Sequence, residues 1–507
     1  MHRRPPALCA TSRPSRAPIP AVLDSRSFFL GPGVQQHLHI LGICGTFMGG
    51  LALLARELGW QVSGCDANVY PPMSEQLAEA GIALTEGYAA EDLPAEALIV
   101  VGNALSRGNP AVEAVLDRGL PYTSGPRWLA DHVLADRWVL AVAGTHGKTT
   151  TSSLLAWLLD EAGLAPGFLI GGVPRDFGRS ARLGAGSFFV VEADEYDTAF
   201  FDKRAKFVHY GPRTLVINNL EFDHADIYPD LASIQRQFHH LIRCVPGSGR
   251  VITPAAVPAI EDMLAQGLWT PRETLVVGDA PGRAPDGDTD WEARLESADG
   301  TRFSLRSPDG ASHAVHWTQR GAHNVANALA AVAAARHVGV APSRAPRALA
   351  AFSGVRRRLE LAGEESGVRV YDDFAHHPTA IRATLRAFGD TGPGAARQRR
   401  LVAVIEPRSN TMRTGRHRAE LAPSTAGADR VFWYQPPGLG WSLADVVAAA
   451  PVPSTIASDI DGLVAELLAE VRAGDDIVIM SNGGFGGIHQ RLLSALAARG
   501  RAAPRQG

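Results

Sequence analysis

Twice in this chain an apolar strand runs directly into a glycine-punctuated turn that opens a helix, and few architectures accommodate that pattern. In the first instance His37–Leu41 reads as a buried strand, Gly42, Gly45, Gly49 and Gly50 punctuate the turn, and Leu51–Leu58 opens a helix. A second strand, Gln61–Cys65, follows and ends at Asp66. In the second instance the strand Trp138–Ala143 meets the loop Gly144-Thr145-His146-Gly147-Lys148-Thr149, and a helix is expected over Thr149–Ala162. Further buried-strand candidates are Ser187–Val191, Thr214–Asn218, Leu401–Ile405, Arg430–Tyr434 and Asp476–Met480. Apolar strands alternating with amphipathic helices predict an α/β architecture with largely parallel sheets.

A chain of 507 residues is too long for one hydrophobic core. Residues 1–35 are rich in Arg, Pro and Ser, lack an apolar run of signal-peptide length, and are expected to form a disordered extension. Composition shifts place domain boundaries near 137 and 342, giving units over 36–137, 138–341 and 342–507. Thr270–Gln319, with many Asp, Gly and Pro and short alternating runs, reads as a small β-rich insertion, and Pro342–Ala351 as a linker with a short helix.

The net charge of −3 leaves no electrostatic footprint of a nucleic-acid binder. No apolar run approaches the ~18 residues of a membrane span. Cys9, Cys44, Cys65 and Cys244 are scattered without metal-like spacing, which fits free thiols in the cytoplasm. Lysine is scarce: Lys148, Lys203 and Lys206 are the only three among 49 lysines and arginines.

The second glycine loop has a direct physical purpose. Backbone amides of the turn and the unpaired first amides of the helix form a cradle for phosphate oxygens. Lys148 adds a positive charge for the terminal phosphates and the Thr149 hydroxyl can ligate Mg²⁺, so the loop is read as an ATP site. Only two residues separate Gly144 from Gly147, which makes it a shortened variant of the usual P-loop. A second metal ligand is expected on a neighbouring strand, and Phe188–Glu195 ends in a burst of acid in which Glu192 lies nearest the strand's carboxyl end. Asn218–His224 brings polar groups to a similar edge. The first loop, with Asp66 some twenty residues on, also fits loosely a dinucleotide-binding turn, although its spacing departs from GxGxxG and no redox motif follows.

Six motifs then occur in one order: Gly144–Thr149, Glu192–Glu195, Asn219–His224, Gly321–Asn327, Arg356–Glu360 and Asp372–Pro378. In that order the chain resembles the Mur ligase family from about residue 37 to 495. The resemblance implies a Rossmann-like N-terminal domain for a UDP-sugar, a P-loop ATPase centre with a small β insertion, and a Rossmann-like C-terminal domain for the peptide. It implies that Gly144, Thr145, His146, Gly147, Lys148, Thr149 and Thr150 hold the ATP phosphates, with His323, Asn324 and Asn327 toward the adenine. Thr149, Glu192 and His224 would hold Mg²⁺. Lys148, His224, Arg358 and Asp373 would serve catalysis, the last two arriving from the third domain when it closes. The loop of Gly42, Gly45, Thr46, Phe47, Met48 and Gly49 would take the diphosphate of UDP-N-acetylmuramate, with Asp66, Asn103 and Arg107 as nucleoside or sugar contacts. Some relatives bridge two magnesium ions with a carbamylated lysine placed shortly after the histidine. No lysine follows Lys206 here, which points to the branch acting directly on the muramic acid.

Within that branch, Gly42–Gly50, Asp66–Met73, Glu406–Met412 and Met480–His489 resemble ligases that attach a whole tripeptide, L-Ala-γ-D-Glu-meso-diaminopimelate, in peptidoglycan recycling. His376, Arg408, Asn410, Ser481 and Asn482 are then candidates for peptide binding, since arginine forks and glycine-rich nests suit its several carboxylates. Ligation of free L-alanine remains an alternative, as does a UDP-sugar-binding protein without turnover. The expected partners are small molecules, with no nucleic acid or membrane, and the chain is expected to be a monomer or weak homo-oligomer.

Overall fold

The computed structural model describes residues 36–69, 73–278, 290–389 and 399–502. The expected extension over 1–35, Tyr70–Pro72 and the middle of the Thr270–Gln319 segment lie outside the described residues.

The first unit is a five-stranded parallel sheet in the order Ala83–Glu86, Gln61–Asp66, His37–Leu41, Leu98–Val101, Tyr122–Ser124. His37–Leu41 lies at the centre, where the winding direction reverses, so the loop after Leu41 opens at the switch-point crevice of a doubly wound sheet. The following helix spans Thr46–Glu57 and thus begins five residues before the expected Leu51. Gly49 and Gly50 belong to it because the helix is packed tightly there. A Cβ on Gly49 would collide with Met73, and one on Gly50 with Leu169 of the next unit.

The central unit holds a ten-stranded mixed sheet. Trp138–Ala143 runs parallel between Phe188–Glu192 and Thr214–Ile217, which delivers three strand ends to one edge. The helices Lys148–Glu161 and Ala322–His337 pack against each other, the second with alanines that permit close approach. The Thr270–Gln319 segment is β-rich, as expected, and its strands extend the central sheet. Arg272–Val277 continues the central sheet in parallel beside Arg250–Pro254, Trp291–Leu295 pairs next to it, and two antiparallel strands complete the edge. Trp291, Phe303 and Val315 bury themselves in the same core as Leu140 and Val142, which is why the segment joins the sheet. Ala345, Leu349, Phe352 and Val355 also belong to this core. The short helix expected within Pro342–Ala351 is present as Ala345–Ala351, and it packs on the central core rather than spanning open space as a linker.

The third unit has a six-stranded sheet in the order Glu360–Glu365, Val368–Asp373, Asp475–Met480, Arg400–Ile405, Arg430–Tyr434, Ser454–Ala457. All neighbours pair in parallel except the first hairpin. Apolar clusters cover both of its faces. The first two units share a packed seam, since Leu51, Trp128 and Leu129 lie in one buried cluster with Leu169, Ala181 and Phe207.

Candidate active site

The loop after Ala143 is shaped by two glycines in left-handed backbone. Gly144 has φ 125° and Gly147 φ 79°. Side chains at either would meet backbone or Asn327: a Cβ on Gly144 would lie 3.0 Å from the Asn219 carbonyl, and one on Gly147 would collide with Asn327 Oδ1. The helix starting at Lys148 has no side-chain cap and no acid in its first turn, so its leading amides remain open to an anion. The loop is braced from behind: His146 N donates to Asn219 Oδ1 at 2.8 Å and Glu221 N donates to Thr145 Oγ1 at 2.9 Å.

Lys148 Nζ donates to the Gly144 carbonyl at 2.7 Å and to Glu195 Oε2 at 3.0 Å, with Asp194 Oδ1 3.8 Å away. Burial works against its charge, but Glu195 and Asp194 outweigh that and hold the ammonium well above the ordinary lysine range. The other oxygen of Glu195 meets His224 Nε2 at 2.8 Å. Burial would push the Glu195 carboxyl up, yet Lys148 and His224 bring it down to about 2. Burial likewise pulls His224 down, and Glu195 reverses the shift upward. His224 sits at φ 55°, a left-handed conformation unusual for a side-chain-bearing residue, with the Tyr196 ring 4.2 Å from its own.

Beside this chain of charges, the Thr149 hydroxyl donates to Glu192 Oε1 at 3.0 Å, and Gly171 N donates to Glu192 Oε2 at 2.6 Å. Burial raises the Glu192 carboxyl. The trio Thr149, Glu192 and His224 is thus divided: Thr149 and Glu192 touch, while His224 pairs with Glu195. Asp194, Glu195 and His224 form a second group with metal-ligating atoms, and His146, Glu221 and His377 a third.

The third unit supplies the opposite wall. Arg358 Nη2 donates to Thr149 Oγ1 at 3.0 Å. Asp373 accepts from Leu359 N at 2.7 Å and Ala375 N at 2.8 Å, so it holds the turn that presents Arg358. Burial raises the Asp373 carboxyl. Docking is fixed by Thr379, whose hydroxyl donates to Glu221 Oε2 at 2.8 Å, and by Thr411, which donates to Asp223 Oδ1 at 2.7 Å. Together these walls enclose a cleft of about 510 Å³ that Thr145 to Thr150, Glu192, His224, His323, Asn324, Asn327, Arg358, Asp373 and His376 all line. Asn327 Nδ2 donates to Asn324 Oδ1 at 3.2 Å, which orients both amides. His376 lies in this cleft and not among the peptide candidates, its Nδ1 2.9 Å from the Phe374 carbonyl.

A second cleft of about 330 Å³ lies between the first and central units and shares Glu192 with the larger one. Gly45, Thr46, Phe47, Met48 and Asn103 form its first-unit side, and Asp194, Tyr196 and Lys206 its central side. Gly42 and Gly49 shape the loop and helix without lining the cleft. Asp66 accepts from Cys44 N at 2.9 Å and Asn68 N at 3.0 Å, so its carboxylate braces the loop. Arg107 is exposed and paired with Glu113 at 3.0 Å, outside the lining of this cleft.

The remaining peptide candidates line neither cleft. Arg408 is exposed and lies so close over Gly483 that a Cβ there would meet its guanidinium. Ser481 is buried and accepts from Gly483 N at 2.9 Å, Asn482 leaves its Oδ1 buried without a partner, and Asn410 Nδ2 donates to Asp226 Oδ2 at 2.9 Å. Sequence reasoning missed Glu195, Asp194, Glu221, His377 and Lys206 as site residues. The first four lay inside motifs already recognised, and lysine scarcity was the signal for the last.

Models of one family match the chain in sequence order: "Mur ligase family, catalytic domain" over residues 37–137, "Mur ligase middle domain" over 142–335 and "Mur ligase, glutamate ligase domain" over 357–483. The chain is 54% identical over 469 residues to the UDP-N-acetylmuramate–L-alanyl-γ-D-glutamyl-meso-2,6-diaminoheptandioate ligase of Escherichia coli K12, covering 92% of this chain and all of that protein. A crystal structure of a murein peptide ligase from Psychrobacter arcticus 273-4 matches with a TM-score of 0.69 at 49% identity, covering 91% of this chain and 99% of that one. A UDP-N-acetylmuramate–L-alanine ligase of Solibacter usitatus is 35% identical over 446 residues, covering 86% of this chain and 84% of that protein.

Proposed function

This chain belongs to the Mur ligase family, and from that premise we propose that it joins UDP-N-acetylmuramate to the tripeptide L-alanyl-γ-D-glutamyl-meso-diaminopimelate at the expense of ATP. The tripeptide is preferred to free L-alanine because similarity to tripeptide ligases is much the higher and runs through all three units. One observation carries the chemistry: two clefts, one built for a phosphate chain and one lined by the first unit's glycine loop, meet at Glu192.

A carboxylate is a poor electrophile in water, so amide formation needs activation. ATP lies in the larger cleft with its phosphates on the Gly144–Thr150 cradle and its base toward His323, Asn324 and Asn327. The sugar diphosphate lies on the bare helix start at Gly45–Met48, whose first turn carries no acid. A lactyl carboxylate oxygen attacks the γ-phosphorus, the bond to the ADP oxygen breaks, and ADP leaves with that electron pair. The alanyl amine then attacks the carbonyl carbon of the acyl phosphate, and phosphate departs as the nitrogen loses a proton.

Lys148 and Arg358 offset the charge that grows on the transferring group, acting in a buried site where they are worth more than in water. Glu195 holds Lys148 and His224 in place. The oxygen pair of Thr149 and Glu192, 3.0 Å apart, suits a hard cation, and His224 offers nitrogen chemistry nearby. Thr149, Glu192 and His224 would hold Mg²⁺, which would supply neutralisation of phosphate charge. The docked third unit shields the acyl phosphate from water and presents Arg408, Asn410 and Asn482 to the tripeptide, while buried Ser481 braces the glycine turn through Gly483 N. Among the described residues no helix is long and apolar enough to cross a membrane. The free thiols of Cys44, Cys65 and Cys244 fit a role in the cytoplasm, in the recycling of cell-wall peptides.

The test is phosphate release with each component omitted in turn. Release should require ATP, Mg²⁺, UDP-N-acetylmuramate and tripeptide together, and L-alanine should not replace the tripeptide. Equal release with L-alanine would overturn the choice of substrate, and release indifferent to the nucleotide sugar would overturn the reaction.

A further inference from the structure

The second cleft contains a cation that the reaction described above does not use. Lys206 is one of three lysines in an arginine-rich chain, and its side chain is only 8% exposed. Its backbone N–H donates to the Tyr196 carbonyl at 2.9 Å, which fixes the start of the short 3₁₀ turn Lys206–His209. The ammonium lies over the Phe47 ring, 5.3 Å from its centroid, and so reaches across the seam to the helix start of the first unit. Tyr196 flanks it at 5.7 Å.

Its charge is only loosely neutralised. Asp194 is its sole acidic partner among the described residues, at a long 3.4 Å. The other oxygen of that carboxylate faces Lys148 at 3.8 Å, so one acid is shared between two ammonium groups that face two different clefts. Lys148 has Glu195 besides, whereas Lys206 does not. A carboxylate entering beside Glu192, whose charge is taken up by the cation site, meets the repulsion of Asp194, and it needs a cation that is not already committed to the nucleotide phosphates. Lys206 is that cation. An ammonium with three donors and one long contact has the capacity to take a second carboxylate.

We propose that Lys206 receives the lactyl carboxylate of the nucleotide sugar, with Asp194 releasing it on substrate entry, so that the attacking oxygen is held at the Glu192 junction between the clefts. This rests on the ligase reading given above. Phe47 and Tyr196 confine the ammonium to the cleft wall, which makes it a fixed point rather than a roaming charge.

Calorimetric affinities of the full chain for two ligands test this: UDP-N-acetylmuramate, and UDP-N-acetylglucosamine, which has the same nucleotide and lacks the lactyl carboxylate. Lys206→Met should weaken the first by at least about tenfold and the second by less than about twofold, since one charge-assisted bond is lost from the first alone. Lys206→Arg should recover part of the difference. Melting temperatures accompany each variant, and Lys206→Gln replaces Lys206→Met if the latter does not fold. Equal weakening of both ligands, or none of either, overturns the role of Lys206 while leaving the ligase reading intact. Failure of the unaltered chain to bind UDP-N-acetylmuramate overturns both.

Discussion

The two glycine loops start from the same local plan and arrive at different sites. Each follows a central strand of a sheet, and each opens a helix with a glycine cap, no side-chain cap and no acid in the first turn. The loop at Gly144–Lys148 brings its own cation, which is locked to Glu195 and through it to His224. The loop at Gly42–Thr46 has no charged residue, and the cation at its cleft comes from Lys206 of the neighbouring unit. The phosphate cradle of the central unit is therefore complete within that unit, whereas the first unit's site exists only because two units dock.

The largest effect should come from breaking the internal chain of charges. Lys148→Ala should lower phosphate release by at least about 10³-fold. It should also destabilise the protein by about 3 kcal/mol, because Glu195 is left as a buried acid without its main partner. Adding Glu195→Gln should restore much of the stability and none of the activity, as read by urea unfolding beside the phosphate assay. Recovery of activity in the double variant would mean that the ammonium serves only to neutralise Glu195.

Next in size is Gly147→Ala, which sharpens the contrast between a loop fixed by its fold and one left open. Left-handed backbone costs a non-glycine residue about 1–2 kcal/mol, and the collision with Asn327 adds roughly as much. A loss of about 2–4 kcal/mol should be seen in denaturant midpoints, together with a higher KM for ATP. An unchanged midpoint would show that the loop relaxes freely.

The difference between the loops also explains what could be read in advance. The glycine turn, the acid burst after Val191 and the Asn219–His224 edge all lie at ends of strands that a purely local pattern identifies. The motif order then united Lys148, Glu192, His224, Asn324 and Arg358, and these five do line one cleft. Glu195 escaped notice as the linking acid because three acids compete within four residues, and only the geometry shows which one faces Lys148. Lys206 and Tyr196 escaped because their site depends on how the first unit docks, which no local pattern records. Parallel pairing of Arg272–Val277 was hidden for a similar reason, since parallel strands are joined by long connections and short alternating runs look like a detached hairpin. Arg107 was placed by resemblance alone, and its partner proves to be Glu113.

A smaller effect should separate the buried histidines of the larger cleft. Burial, then the charges of His146 and His417, lowers His377 to about 3 from 6.5, and burial lowers His376 to about 4. Both are neutral in the folded chain, and the unfolded chain binds more protons once the pH falls below 6.5. Their contribution is therefore complete above pH 6.5 and is lost as the pH falls toward 4 and then 3. His377→Asn keeps a side chain able to cap the helix at Pro378 and removes the titrating group. Between pH 7.5 and 5.0 it should lessen the loss of stability by about 1–2 kcal/mol, and an unaltered pH slope would show that His377 is not held neutral.

The smallest effect on stability should come from Gly45→Ala, and it is the sharpest test of the contrast. Gly45 has φ −64° and ψ 142°, which any residue adopts, and a Cβ there would meet only the Gly42 carbonyl at an ordinary 3.6 Å. Alanine is a poorer helix cap than glycine, but it also restricts the unfolded chain, and the two effects oppose each other. Stability should move by no more than about 0.5 kcal/mol. Because Gly45 lines the second cleft, any loss should be confined to the affinity for the nucleotide sugar, with the KM for ATP unaltered. That outcome would identify a glycine needed to let the ligand approach the backbone, in contrast to Gly147, which is needed for the loop to form at all. A fall in stability as large as that of Gly147→Ala would erase the distinction between the loops. It would mean that the first loop is as tightly determined by its own fold as the second.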